Sequence, residues 1–599
     1  MNRRAGGPNG RRLFHRRNAM DIFLDFFRGP EGITLLSVYH AVLRLSLPIL
    51  AFLVVLRSAR SLLGFRREPE VWAWLRLATG ELQPVTHWEN LLGRKKSADV
   101  VLDFATVSKN HAVLTRLDDG GWTITDIGAK GRVEVNGKPM LSGRVDYGDT
   151  ISLAGLEMVL EPVSKEEARM QALSRTKAGN GHSPGLTLLL LTVFQLLAVL
   201  ELVFNRPEDR MTIITAYGIL IGVQWAMFVG QKLLKRSGFE VETIAFFLTS
   251  IGLGVIASAY ASEMYKQLIA MGLGIGIFLV LGFCLRDLET AKKLRYLAAG
   301  AGVLLFLVNL VLARSVYGSR NWIYLGGFSF QPSEFVKICF ILTGASTMDR
   351  IVTRRNMLSF VLYTAFIGGC LVIINDFGAA AIFFVGFLAI ALLRSSSYPS
   401  AVLVLVGVGM LAVLVLAAVL AIKHFPHVAS RFAGYGHIWE DSFDKGYQQT
   451  RSLMCIAAGG LFGLGLGNGW MQYMAGEGAS DTDLVFAFVS EEWGLLMAVM
   501  MIFALAMLGL FVVRSAKVAR SSFYTIGASA AMSILIMQAI LNFFGTVDFL
   551  PLTGVTFPFV SNGGSSLMAC WGLLAFIKAC DTRQNASFAV KLSEKEAAK

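Results

Sequence analysis

Polar and apolar positions separate along this chain into long blocks. After an Arg-rich start, one apolar block runs from about Ile33 to Leu56, a mixed polar stretch from Arg57 to about Ser183, and nearly continuous apolar sequence from Pro184 to Ala579. Within that last region the apolar blocks fall at about 184–204, 212–231, 241–260, 267–285, 296–313, 335–348, 358–375, 378–393, 400–422, 484–513, 522–544 and 560–577. Such lengths cross a bilayer as helices, and only helices or closed barrels satisfy their backbone groups in lipid. Barrel strands would alternate, whereas these blocks are apolar throughout. The pattern predicts a polytopic α-helical membrane protein of about 13 spans, with the blocks at 335–348 and 378–393 short.

Residues 68–165 follow another rhythm. The runs VVLD, HAVLTRL, GWTITDI, RVEVNG and TISLAGLEMVLEP are separated by Gly- and Asp-rich turns, which predicts an all-β sandwich. The expected organisation is a basic segment at 1–32, a transmembrane helix at 33–56, the β domain at 68–165, two helices within 184–231, a ten-helix membrane domain at 238–580 and a tail at 581–599.

Composition narrows the class. The hydrophobic share is 54% and the charged share 16%, against about 25% charged in soluble chains. This excludes a soluble enzyme, a disordered chain, a collagen-like fibre and a disulfide-stapled secreted domain. The six cysteines (Cys284, Cys339, Cys370, Cys455, Cys570 and Cys580) are scattered without metal-ligand spacing and read as small buried hydrophobes. The net charge of +13 sits at the ends of apolar blocks and reads as topology rather than nucleic-acid binding. Basic residues recur in alternate loops: Lys232, Lys235 and Arg236; Arg286, Lys292, Lys293 and Arg295; Arg350, Arg354 and Arg355; Arg394; Arg514, Lys517 and Arg520; Lys578 and Arg583. These loops, the C-terminus and the 57–183 segment are therefore expected in the cytoplasm of a multi-pass cytoplasmic-membrane protein, with loops 315–334, 423–483 and 545–559 facing outward. That parity puts seven arginines of residues 1–30 outside, so translation is expected to begin at Met20 rather than Met1. An intact N-terminal peptide containing Arg3 or Arg11 would refute this.

Four constellations carry candidate chemistry, because charge beside or inside apolar blocks is costly. The first is Asn321-Trp322-Ile323 with Gln331-Pro332-Ser333-Glu334 and Lys337. Glu334 and Lys337 share a helix face, and a structural ion pair is the alternative to a functional one. The second is Asn375-Asp376-Phe377-Gly378, where an acid at a helix junction could instead be a cap. The third, in the long outward loop, comprises Trp439-Glu440-Asp441-Ser442-Phe443-Asp444-Lys445-Gly446-Tyr447-Gln448, Arg451, Asp481-Thr482-Asp483 and Glu491-Glu492. Taken one by one, such acids usually form a solvated loop. The fourth is Pro551-Leu552-Thr553-Gly554 with Ser561-Asn562-Gly563-Gly564-Ser565-Ser566, which suits close helix packing or an anion held by backbone N–H groups.

In the β stretch, Gly93-Arg94, Ser108-Lys109-Asn110-His111, Asp126-Ile127-Gly128, Val135-Asn136-Gly137 and Gly148-Asp149-Thr150 occur in an order that resembles a forkhead-associated (FHA) domain. The resemblance implies phosphothreonine recognition, with Arg94, Ser108 and Lys109 on the phosphate and His111 bracing the loop. A phosphate offers nearly two negative charges and three acceptors to such donors. The run Gly128-Ala129-Lys130-Gly131-Arg132 departs from the pattern. Gly131 stands where the family's Asn holds the peptide backbone, so a domain used only for docking is the alternative.

The motifs Gln-Pro-Ser-Glu, Gly-Tyr-Gln, Thr-Asp and Gly-Gly-Ser-Ser, in that order over residues 238–580, resemble the shape, elongation, division and sporulation (SEDS) family, the FtsW/RodA/SpoVE group. The resemblance implies a ten-helix core and a peptidoglycan glycosyltransferase that polymerises lipid II on the outer face of the membrane, in division, elongation or sporulation. It also implies a class B penicillin-binding protein as transpeptidase partner, and the FHA-like domain implies a phosphothreonine protein from a Ser/Thr kinase system. The family's catalytic acid, six residues before the Tyr of Gly-Tyr-Gln, falls on Asp441, with Glu440 and Asp444 close by. A lipid pyrophosphate leaves as a stable anion, so one carboxylate base acting on the acceptor hydroxyl would suffice, where ordinary glycoside hydrolysis usually uses two. The leaving group calls for positive charge, from a divalent cation (Mg or Mn), which Asp441 could bind instead, or from Lys337, Lys445 and Arg451. Trp322, Glu334, Tyr447, Gln448, Asp483, Ser565 and Ser566 are the further candidates for substrate contact. Departures from the family lie at Asn321, Asn375, Asp481 and Asn562. A lipid-linked precursor flippase, supported by Glu334, Glu491 and Glu492, and an inactive division scaffold are the alternatives.

Overall fold

The computed structural model describes residues 30–586 apart from 65–70, 88, 97, 117–120, 128–130, 178–182, 287, 317–318, 327, 349–353, 394–406, most of 411–434, 475–479, 517–520, 582 and 584–585. The Met20 start, most of the apolar block at 400–422 and nearly all of the 581–599 tail lie outside the described residues.

The chain enters as one long helix, α1 (Pro30–Leu63). It then builds two facing sheets from strands β1 (Ala73–Leu77), β2 (Leu82–Val85), β3 (Glu89–Gly93), β4 (Val100–Val101), β5 (Ala112–Arg116), β6 (Trp122–Asp126), β7 (Val133–Val135), β8 (Lys138–Pro139), β9 (Ser142–Val145), β10 (Thr150–Leu153) and β11 (Leu156–Pro162). One sheet runs β2-β1-β11-β10-β7-β8 and the other β4-β3-β5-β6-β9. Alternate positions face inward, as strand geometry requires. Leu75, Leu92, Leu114, Trp122, Ile124, Ile151 and Leu160 form a core of their own between the sheets.

After α2 (Lys165–Lys177) come α3 (Pro184–Asn205), α4 (Arg210–Leu233), α5 (Glu240–Tyr260), α6 (Met264–Cys284) and α7 (Leu288–Leu312). A small antiparallel sheet follows, made of β12 (Arg314–Val316), β13 (Ser319–Leu325) and β14 (Phe328–Phe330). Then come α8 (Pro332–Met348), α9 (Arg354–Ile374), α10 (Phe377–Leu393), α11 (Tyr447–Gly459), α12 (Val485–Glu492), α13 (Leu495–Ala516), α14 (Ser522–Thr546) and α15 (Gly564–Ala579). Among the described residues eight segments are long and apolar enough to cross a membrane, and one of them, Glu240–Cys284, is α5 and α6 joined by a short 3₁₀ turn. Helices α10 and α15 are apolar but shorter. The block read as one span at 484–513 is two helices, because Gly494 takes φ +92° and turns the chain between α12 and α13. Helices α5, α8 and α15 are buried on nearly every face, and α8 and α15 carry the Gln-Pro-Ser-Glu and Gly-Gly-Ser-Ser motifs at their N-termini.

Candidate functional site

Asp441 lies in the turn that precedes α11. Its carbonyl accepts from the Gly446 amide at 3.0 Å and from the Asp444 amide at 3.3 Å. Gly446 is needed by contact: a Cβ there would stand 2.2 Å from the Ile438 carbonyl oxygen. The Thr450 hydroxyl donates back to the Gly446 carbonyl at 2.8 Å and ties the turn to the helix. The Asp441 side chain is half-buried, and among the described residues no hydrogen bond or ion pair engages its carboxylate. Arg451 lies one helical turn after Tyr447, with its guanidinium 5.0 Å from the Tyr447 ring centroid and 5.6 Å from that of the exposed Phe443. Gln448 is half-buried beside them, while Lys445, Asp444 and Glu440 are exposed. Tyr435 donates its hydroxyl to the Phe549 carbonyl at 2.9 Å, joining this loop to the segment after α14.

A second group forms where α8 begins. Lys337 donates to Glu334 at 2.6 Å, and both side chains are buried. Asn321 on β13 donates to Asp376 and, at 3.0 Å, to the Ser333 hydroxyl, and it accepts from Asn309 at 3.3 Å. Asp376 in turn accepts from the Ala379 amide at 2.9 Å, the cap geometry at the start of α10. Asn321 and Asp376 thus belong with Glu334 and Lys337. Trp322, next in β13, is half-buried.

The remaining motifs converge on the N-terminus of α15. The Ser565 hydroxyl accepts from the Gln331 amide at 3.1 Å, and Ser566 pairs with Thr556 at 2.7 Å. Ser561 donates to the Thr482 carbonyl at 2.6 Å, and Asn562 donates to the Asp481 carboxylate at 2.8 Å. Burial pushes the Asp481 carboxyl up, and the Asn562 bond opposes this. Asp483 is half-buried, and its carbonyl accepts from Asn542 at 2.9 Å. The structure therefore joins the Gln-Pro-Ser-Glu, Thr-Asp and Gly-Gly-Ser-Ser segments. It joins the Asp441 turn to none of them by a hydrogen bond or ion pair among the described residues.

Glu491 and Glu492 are not part of a solvated loop. Both are buried. Glu491 accepts from the Trp470 and Met471 amides, each at 2.9 Å, and Glu492 accepts from the Gly467 and Gly469 amides at 3.0 and 3.3 Å and from the Ser258 hydroxyl at 2.7 Å. The backbone N–H groups of this glycine-rich loop need partners, and the two buried carboxylates supply them.

Among the described residues no three His, Cys, Asp or Glu side chains come together as a metal cage. Magnesium is commonly held by one or two carboxylates together with substrate phosphates, and the unengaged Asp441 carboxylate fits that arrangement.

In the β domain, Arg94 and Lys109 are exposed and Ser108 is half-buried on adjoining turns. These turns are bound to each other by Arg94 N–H to Ser108 O at 3.0 Å and Lys95 N–H to Lys109 O at 3.1 Å. His111 is fully buried, and its Nδ1 accepts from the Ser108 amide at 3.1 Å. Burial pushes its pKa down, against the opposing pull of the Asp126 charge. His111 is thus a brace, as the resemblance implied. A Cβ on Gly131 would lie 2.4 Å from the Ala154 Cβ, so an Asn does not fit there without moving Ala154.

The family model for FtsW/RodA/SpoVE cell cycle proteins matches residues 242–586, and the FHA domain model matches residues 90–154. The chain is 34% identical over 284 residues to a probable peptidoglycan glycosyltransferase FtsW of Coxiella burnetii, covering 45% of this chain and 73% of that protein. It is 30% identical over 334 residues to the peptidoglycan glycosyltransferase RodA of Mycobacterium tuberculosis, covering 52% and 69%. A chain from a solved peptidoglycan synthase complex that coordinates polymerization and crosslinking is 25% identical, covering 57% of this chain and 96% of that one, with a TM-score of 0.46.

Proposed function

The chain belongs to the FtsW/RodA/SpoVE family, and from that premise we propose that it is a peptidoglycan glycosyltransferase polymerising lipid II at the outer face of the cytoplasmic membrane. The observation that carries the mechanism is the Asp441 carboxylate, held by its own backbone in a tight turn and engaged by no described side chain. It acts as general base, taking the proton of the acceptor sugar hydroxyl as that oxygen attacks the anomeric carbon of the donor. The bond to the lipid pyrophosphate breaks, and the leaving group departs as an anion. Arg451, stacked on Tyr447 and Phe443, and Lys445 supply charge near that turn. In the alternative role, Asp441 would hold a divalent cation, Mg or Mn, and that ion would supply positive charge to the leaving group. Trp322, Glu334, Lys337, Gln448, Asp483, Ser565 and Ser566 belong to the proposed substrate-binding region.

The FHA domain reads a phosphothreonine protein through Arg94, Ser108 and Lys109, and the transpeptidase partner is a class B penicillin-binding protein. The β domain and C-terminus lie in the cytoplasm and the Asp441 loop outside. Against a flippase, Glu491 and Glu492 are committed to backbone N–H groups and Glu334 to Lys337. The test is polymer formation from lipid II by purified protein with its transpeptidase, wild type against Asp441→Ala. Polymer from both removes Asp441 from catalysis.

A further inference from the structure

Residues 463–472 form a Gly-rich outer loop, with Gly463, Gly465 and Gly467 all at positive φ. Glycine carries the largest backbone entropy of any residue, so one conformation of this loop rests on partners outside it. On one side these are Glu491 and Glu492 of α12. On the other they are polar side chains of α1, which precedes the FHA domain in sequence, and of α3 and its C-cap residue, which follow that domain after α2. Arg44 of α1 donates to the Leu464 carbonyl. Glu201 of α3, 1% exposed, accepts from the Leu466 amide at 3.3 Å, with His40 of α1 at 3.6 Å from the same carboxylate. Asn205 donates to the Leu466 carbonyl, and Arg206 donates to Gln472 and to the Ser258 carbonyl on α5.

The loop continues directly into the proposed catalytic region. The Leu464 and Gly465 amides donate to the Glu491 and Glu492 carbonyls at 2.8 and 3.0 Å. The last residue of α11, Gly459, packs on α12 so closely that a Cβ would stand 2.1 Å from the Ser490 carbonyl oxygen. Helix α11 carries Tyr447, Gln448 and Arg451 and begins at the Asp441 turn.

We propose that Arg44, Glu201, Asn205 and Arg206 form a polar clamp that positions the 463–472 loop and, through α12, the α11 helix, making Glu201 a positioning residue for polymerisation. The clamp joins the loop to the two membrane helices between which the FHA domain lies in the sequence. The effect on rate rests on the polymerase reading, whereas the positioning itself does not.

The experiment compares full-length wild type, Glu201→Ala and Glu201→Gln by steady-state lipid II polymerisation and by amide hydrogen exchange over 447–459 and 464–472. Losing a buried hydrogen bond to a charged group is expected to lower kcat about tenfold in Glu201→Ala, with KM held within about twofold and exchange faster in both segments. Glu201→Gln keeps an acceptor oxygen and restores both. Wild-type kcat and exchange in Glu201→Ala overturn the clamp, and so does a loss that Gln fails to rescue. If the wild-type protein makes no polymer, the enzyme reading fails and exchange alone decides: deprotection of both segments in Glu201→Ala upholds the clamp, and unchanged protection overturns it.

Discussion

Replacing Gly446 by Ala isolates the turn that presents Asp441. The added Cβ would lie 2.2 Å from the Ile438 carbonyl oxygen and 2.7 Å from the Ile438 Cα, where ordinary contact begins at 3.4 Å. Both opposing atoms are backbone, so no rotamer change relieves the overlap. The 438–446 segment must open by about 1 Å, and a misplacement of that size costs on the order of 10²-fold in rate. The Gly446 amide bond to the Asp441 carbonyl, 3.0 Å long, is stretched by the same movement. The expected result is a loss of about 10²-fold in lipid II polymerisation from a protein that elutes and melts near wild type, because the strain is confined to one turn. Polymerisation at the wild-type rate would show that the position of Asp441 does not govern the reaction.

Lys337→Met leaves Glu334 buried without its partner and is expected to cost about 3–5 kcal/mol of stability. Glu334→Gln/Lys337→Met together should recover most of this in a thermal-melting cycle, and additive losses would contradict the pairing. If the pair also binds substrate, the double variant folds but polymerises poorly. For the FHA domain, burial holds the His111 pKa below its ordinary value. Its contribution to stability is therefore full above the unfolded pKa of about 6.5 and lost as pH falls through the folded value. Melting of the isolated domain should drop on acidification, and a melting temperature flat through this range contradicts the assignment. Arg94 is exposed, so Arg94→Ala should leave domain stability within about 0.5 kcal/mol while removing phosphate-dependent binding of a phosphothreonine peptide, read by titration calorimetry. Equal affinity of the wild-type domain for phosphorylated and unphosphorylated peptide would favour the docking-only alternative.

The membrane blocks were legible because apolar runs of spanning length have few other meanings, and the β domain because its strands alternate between close turns. The sheet at Arg314–Phe330 was read only as a loop, since three short strands with no continuous alternation leave little pattern. Residue type and local spacing foretold the Glu334–Lys337 pair, three residues apart on one helix. They could not foretell Asn321 with Asp376, which are 55 positions apart, or Gln331 with Ser565, 234 apart. For Glu491 and Glu492, the usual reading of single acids as a solvated loop fails for the same reason: their partners are backbone amides of a glycine loop, which carry no side-chain signature. Charges at Arg44 and Glu201 inside apolar blocks were the available signal for the clamp, but their partners lie 420 and 265 positions away.

The central claim is that one carboxylate, Asp441, deprotonates the incoming sugar. Glu440 and Asp444 supply the internal comparison, being acids of the same turn. The decisive measurement is glycan-chain formation from lipid II by purified Glu440→Gln, Asp441→Asn and Asp444→Asn proteins side by side with wild type. Polymer should vanish in Asp441→Asn alone and persist in the other two. Chains of normal length from Asp441→Asn, or their loss only when a neighbouring acid is changed, would contradict the account.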